Sequence, residues 1–179
     1  MIQTIQLGRV LRETVMTPYT DLVTRPTGAA IRGRIQDAML QSAAATTLLD
    51  FTGIGLLDFS CADEVVAKLL LDADPGTDRY VMLGGAREDH VEAIDHVLNH
   101  HALAVAALTA PGEPPRLLGR VTPELRAVFV CVFRLGPGDA VRVAEVLNWT
   151  LERAADALQT LALLRLLRAE GGTYRPLPT

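Results

Sequence analysis

Leu48-Leu49-Asp50-Phe51-Thr52-Gly53-Ile54-Gly55-Leu56-Leu57-Asp58-Phe59-Ser60 is the stretch from which the rest of the chain can be ordered. Thr46–Phe51 is a short apolar run with an acid near its end, the pattern of a strand buried in a parallel sheet. The Gly53/Gly55 loop does not extend to GxGxxG, since position 58 is Asp, and no phosphate-binding lysine follows, so the loop is not read as a nucleotide cradle. A helix over Cys61–Leu71 comes next. Upstream, Ala30, Ile31, Ile35, Ala38, Met39 and Leu40 recur near a 3.6-residue period, against polar Arg32, Arg34, Gln36 and Asp37. That spacing predicts a helix opening at Thr27, with Thr27 as its N-cap. Downstream, Tyr80–Leu83 reads as a strand closed by Gly84-Gly85, Glu88–Asn99 as a helix with Val91, Ile94, Val97 and Leu98 on one side, and Leu103–Leu108 as a last strand. Met1–Leu7 supplies a first strand, and residues 9–24 read as strand and loop. Alternation of strand and helix predicts right-handed crossovers and a mostly parallel sheet.

Ala110-Pro111-Gly112-Glu113-Pro114-Pro115 interrupts this alternation. Its prolines favour extended backbone, so 111–119 reads as a linker between an α/β domain at 1–110 and a second domain at 120–179. Beyond it, Thr122-Pro123 opens a helix to Leu135 as cap and first helical residue. Gly136-Pro137-Gly138 ends that helix, and Asp139 caps a short one to Leu147. Asn148-Trp149-Thr150 makes a turn before a third helix, Leu151–Leu161. Leu164–Arg168 and Thr173–Leu177 then pair around Glu170-Gly171-Gly172 as a hairpin.

The chain has 179 residues, 49% of them hydrophobic, and holds no apolar run long enough for a membrane span. No basic region precedes an apolar stretch at the N-terminus, so no secretory signal is read. Cys61 and Cys131 lie far apart in apolar surroundings and read as buried free thiols, which fits a reducing, cytoplasmic location. Residues 1–110 carry 8 Lys/Arg and 14 Asp/Glu, and residues 111–179 carry 9 Arg and 7 Asp/Glu, so only the second half favours nucleic acid by charge.

The first half resembles STAS domains, the fold of anti-sigma factor antagonists, over roughly residues 25–108. The resemblance is closer to a STAS-like branch with an "LDF…G…F.ADE" pattern, matched by Leu49-Asp50-Phe51 and Ala62-Asp63-Glu64. It implies a partner-binding domain. In phosphoregulated members an Asp-Ser-Ser-Gly stretch carries the regulatory serine; Asp58-Phe59-Ser60-Cys61 corresponds to it, retaining Asp58 and Ser60 and departing at Phe59 and Cys61. Two readings of Ser60 stand side by side. It caps the helix, with Asp63 completing a partial capping box, or it is a phosphorylation switch whose added charge repels an acidic partner. Asp139–Leu177 resembles a bacterial winged helix-turn-helix. On that resemblance Thr150, Glu152, Arg153, Asp156 and Gln159 face a DNA groove, and Arg142, Arg168 and Arg175 hold its backbone.

Two further constellations stand apart from these. Glu92, His96 and His100 share a helix face and are weak candidates for a metal, without an obvious fourth ligand. Arg25-Pro26-Thr27-Gly28 reads as a structural turn or as an anion pocket. No local catalytic arrangement is visible, and no cofactor is implied. The expectation is a non-enzymatic cytoplasmic regulator: an α/β STAS-like domain binding a protein partner, coupled to a winged helix that contacts double-stranded DNA, as a homodimer if DNA is bound. The alternatives are a protein–protein adaptor in a partner-switching system without DNA binding, and a small-ligand-binding or enzymatic protein with a site between the halves.

Overall fold

Five strands make one sheet: β1 (Ile2–Gln6), β2 (Thr46–Asp50), β3 (Tyr80–Gly84), β4 (Ala104–Ala107) and β5 (Arg116–Gly119). The computed structural model describes residues 1–16 and 18–178. The strands lie side by side in chain order, the first four parallel and β5 antiparallel to β4. When strand order follows chain order, right-handed crossovers put every connecting helix on the same face. Those helices are α1 (Leu7–Val15), α2 (Arg25–Gln41), the rod formed by α3 (Phe59–Ala62), a π-helical turn (Asp63–Ala67) and α4 (Lys68–Leu71), and α5 (Glu88–His100). They pack on the row Ile5, Leu49, Leu83 and Ala107.

The opposite face would be left bare by this topology. Its register row, Leu48, Met82, Ala106 and Leu117, is apolar, and an apolar sheet face needs a second layer. The second half supplies it. Helices α6 (Pro123–Leu135), α7 (Ala140–Leu147) and α8 (Leu151–Leu163) and the hairpin β6 (Leu167–Glu170) with β7 (Thr173–Pro176) form a helix-rich region. Met82, Ala104, Ala106 and Leu117 join one buried cluster with Val128, Phe129 and Val132 of α6 and Leu158 and Leu161 of α8. The general architecture is therefore two regions, a mostly parallel sheet with helices and a helical region with a two-stranded sheet, with one core on each face of the larger sheet.

Several expectations need correction. Residues 7–15 are a helix rather than strand and loop: Leu7 and Leu11 lie one turn apart and are fully buried on the sheet. Helix α2 begins at Arg25, so Thr27 lies inside it; Thr24 is the cap residue and makes no side-chain cap bond. The expected linker 111–119 contains β5, because Leu117 and Leu118 bury on opposite faces of the sheet. Helix α8 runs on to Leu163, and Arg165 then turns the chain at φ 58°, which delays the hairpin to Leu167. Gly171 and Gly172 both take positive φ, as a two-residue hairpin turn requires.

Candidate functional site

The loop between β2 and α3 ends at Asp58, whose carboxylate organises the start of the helix. Its Oδ1 accepts hydrogen bonds from the Cys61 amide at 2.7 Å and the Ser60 hydroxyl at 2.8 Å, and its Oδ2 accepts one from the Thr24 amide at 3.0 Å. Partial burial pushes this carboxyl up, but the Thr24 and Cys61 amides and the Ser60 hydroxyl outweigh it and hold it below the usual carboxylate range. Asp58 is thus the N-cap. The reading of Ser60 as the cap is corrected: Ser60 donates to the cap. A phosphate on Ser60 would remove that donor and set a second anion against Asp58.

The loop is pinned from several sides. The Leu56 amide donates to Asp21 Oδ1 at 2.8 Å, and Arg87 donates to the carbonyls of Ile54 and Gly55, both at 2.9 Å. His90 is fully buried beneath it. Its Nδ1 accepts from the Arg87 amide at 3.2 Å, so the ring proton sits on Nε2, which donates to the Gly55 carbonyl at 2.7 Å. On this fixed loop Leu56 is 61% exposed, and at the start of α3 Phe59 is 54% exposed, its ring 4.6 Å from that of His96. Two large apolar side chains therefore flank the Asp58–Ser60 pair at the surface.

Behind this surface lies an ionic cluster that sequence reasoning did not assemble. Glu64, in the π-helical turn, is 2% exposed and accepts from Arg25 at 2.8 Å, from Arg32 at 2.6 Å and from Lys68. Burial pushes its carboxyl up, and Lys68, Arg25 and Arg32 reverse the effect, leaving it below the ordinary glutamate range. Asp63 pairs with Arg25 and with His101, each at 2.7 Å. Gly28 permits the approach: a Cβ there would lie 2.9 Å from Glu64 Cβ and 3.2 Å from Cys61 Cα. Arg25–Gly28, read as a structural turn or as an anion pocket, is instead the first turn of α2, and Arg25 already holds the chain's own Asp63 and Glu64. The sequence signal was an acid pair inside an otherwise buried helix, with Arg25 and Arg32 about two turns apart upstream.

Cys61 donates to the Thr24 carbonyl at 3.0 Å, and burial, with Asp58 nearby, pushes its thiol up to about 12. Cys131 is buried too, and burial raises its thiol. Both are thiols rather than reactive thiolates.

In the second half, Thr150 caps α8, its hydroxyl accepting from the Arg153 amide at 3.3 Å. Glu152, Arg153, Asp156 and Gln159 are exposed on that helix. The arginines expected at DNA have protein partners. Arg153 stacks 3.9 Å over Trp149 and pairs with Glu124. Arg168 pairs with Asp78 of the first half, Arg175 lies 3.6 Å from Glu170, and Arg142 donates to the Pro137 carbonyl at 3.3 Å.

Glu92, His96 and His100 line a shallow depression on α5 with Asp95 and Asn99. The rings of His96 and His100 are turned to Phe59 and His101. Among the described residues no group of three His, Cys, Asp or Glu side chains converges to hold a metal ion. Among them, too, no helix is long and apolar enough to cross a membrane. No family model, curated protein or solved structure matches the chain.

Proposed function

We propose that this protein is a regulatory adaptor that binds a protein partner through Leu56, Phe59 and the adjoining Asp58–Ser60 pair, and that phosphorylation of Ser60 releases that partner. The exposure of Leu56, on a loop held by Arg87, His90 and Asp21, and of Phe59, at the start of the helix that follows it, carries the reading. Exposed apolar anchors on a rigid support are what a protein interface needs, because little ordering is lost on binding. The resemblance of this segment to STAS-like domains points the same way. The charge logic of the switch is local: a phosphate beside Asp58 makes the rim of the surface more anionic.

A winged helix contacting double-stranded DNA is the second reading. The exposed Thr150, Glu152, Asp156 and Gln159 after the Asn148–Thr150 turn favour it. Against it, Arg142, Arg153, Arg168 and Arg175 have intramolecular partners that must be exchanged before they bind phosphate. Two acids also stand on the face that would enter the groove.

A photo-crosslinking benzoylphenylalanine placed at position 59 in the native host tests the adaptor reading. A discrete protein adduct is expected that is lost in Leu56→Asp and weakened in Ser60→Asp, with both variants folded. The same probe at position 159 is expected to give no such adduct. An equal adduct from position 159, or one from position 59 indifferent to Leu56→Asp, contradicts the proposal.

A further inference from the structure

We infer that a cavity at the junction of the two halves binds an uncharged, mostly apolar small molecule. It lies at the N-terminal ends of β3 and β4, the opposite end of the sheet from Leu56 and Phe59. Its volume is about 400 Å³, within the range of small-molecule sites. It opens to solvent at one side, and most of the surface it presents is apolar. Met39 and Leu40 from α2, Leu70 from α4, Val81 from β3, Val105 from β4 and Leu164 after α8 give it apolar walls.

Two arginines brace the walls. Arg79 donates to the carbonyls of Met39 and Ser42, tying β3 to the end of α2. Arg165 donates to the carbonyls of Thr77 at 2.9 Å and Asp74 at 2.6 Å, and to that of Arg79, tying the second half to the loop before β3. The cavity is therefore braced by one guanidinium from each half, both bonded to main-chain carbonyls of the first half.

Charge selects the occupant. Asp37, Asp72 and Asp74 stand exposed on the rim and disfavour an anionic head, while the two guanidiniums disfavour a cation. An uncharged ligand loses least on entry, and Leu40, 75% exposed at the mouth, extends the apolar contact outward. A molecule seated there touches both halves and strengthens their association by binding the docked state alone.

N-phenyl-1-naphthylamine, an uncharged fluorophore that brightens in apolar surroundings, is the probe for the intact chain. Its anilinonaphthalene sulfonate counterpart has the same ring system plus one negative charge. A saturable signal with one uncharged probe per chain is expected, with the sulfonate binding about tenfold or more weakly. Ala73→Trp places an indole in the half-buried wall, and Leu40→Asp puts a charge at the exposed mouth; each is expected to weaken the uncharged probe about tenfold while the melting temperature stays put. If Ala73→Trp fails to fold, Leu40→Asp, at an exposed position, still decides. No saturable signal up to the probe's solubility limit overturns the inference, as does binding unchanged in the folded variants. Tighter binding of the sulfonate overturns the assignment of an uncharged ligand.

Discussion

A chain ended after Gly119 is expected to lose cooperative unfolding, although it keeps all five strands and every helix on the first face. The reason lies in the register row Leu48, Met82, Ala106 and Leu117. In the full chain Met82, Ala106 and Leu117 are at most 3% exposed, covered by α6 and α8. Burying a Met or Leu side chain contributes roughly 1.5–3 kcal/mol, so uncovering this face removes about 5 kcal/mol, as much as many small domains possess. The truncation also removes Arg126, which donates to the Leu117 carbonyl at 2.7 Å, and the three carbonyl bonds made by Arg165. Urea unfolding followed by circular dichroism checks this. A truncated chain with the midpoint and slope of the full protein would mean that the second layer adds nothing to the first.

Replacing Glu64 by Ala is expected to destabilise the full chain by about 3 kcal/mol near neutral pH, the low end of what removing one partner from a buried ionic cluster costs. The loss comes from Arg32 above all, 22% exposed and left with only Asp72 at 3.7 Å, since Arg25 and Lys68 are open enough for water to compensate them. Glu64→Gln keeps the shape and an acceptor and should cost less. The pH dependence has a definite sign. The folded-state carboxyl sits below its unfolded value, so its contribution is fully present above the unfolded glutamate pKa, about 4.3, and disappears as pH falls through the lower folded value. The gap between wild type and Glu64→Ala should therefore be constant from neutral pH down to about 5 and shrink below about 4. A gap that widens on acidification contradicts a charged Glu64 in the folded state.

Local pattern made much of the α/β layer readable. Thr46–Asp50, Tyr80–Gly84 and Ala104–Ala107 are apolar on both faces because both faces are covered, and such runs stand out in sequence. The caps Asp139 and Thr122 were equally plain, since each needs only its own helix, whereas Thr150, read as part of the turn and as a groove-facing residue, turns out to cap α8. Helix α1 was harder to see. Its short stripe of Leu7 and Leu11 is diluted by Val10, Thr14 and Val15, which suit strands as well. Strand β5 hid behind Pro114 and Pro115, and Arg116–Gly119 extends only because β4 offers it a free edge. Nothing local says that Arg168 meets Asp78 or that Arg165 braces the loop before β3. Those contacts exist only once the second half docks on the sheet, and docking changes the outlook for arginines that resemble DNA contacts in isolation. The Asp58–Ser60 pair was legible as a pair; Asp58 caps the helix through the Cys61 amide, and its other oxygen is held by the Thr24 amide, 34 residues away in sequence, a contact no local pattern shows.

Selection of genomic DNA fragments by the intact, folded protein at low and moderate salt is the most direct test of a regulator that works through protein contacts. With Arg153 on Trp149 and Glu124, Arg168 on Asp78, and Glu152 and Asp156 on the same helix face, the expected result is no enriched fragment at either salt concentration. Enrichment of particular fragments, with affinity falling steeply as salt rises, would contradict it and make the helix-rich second half a reader of DNA.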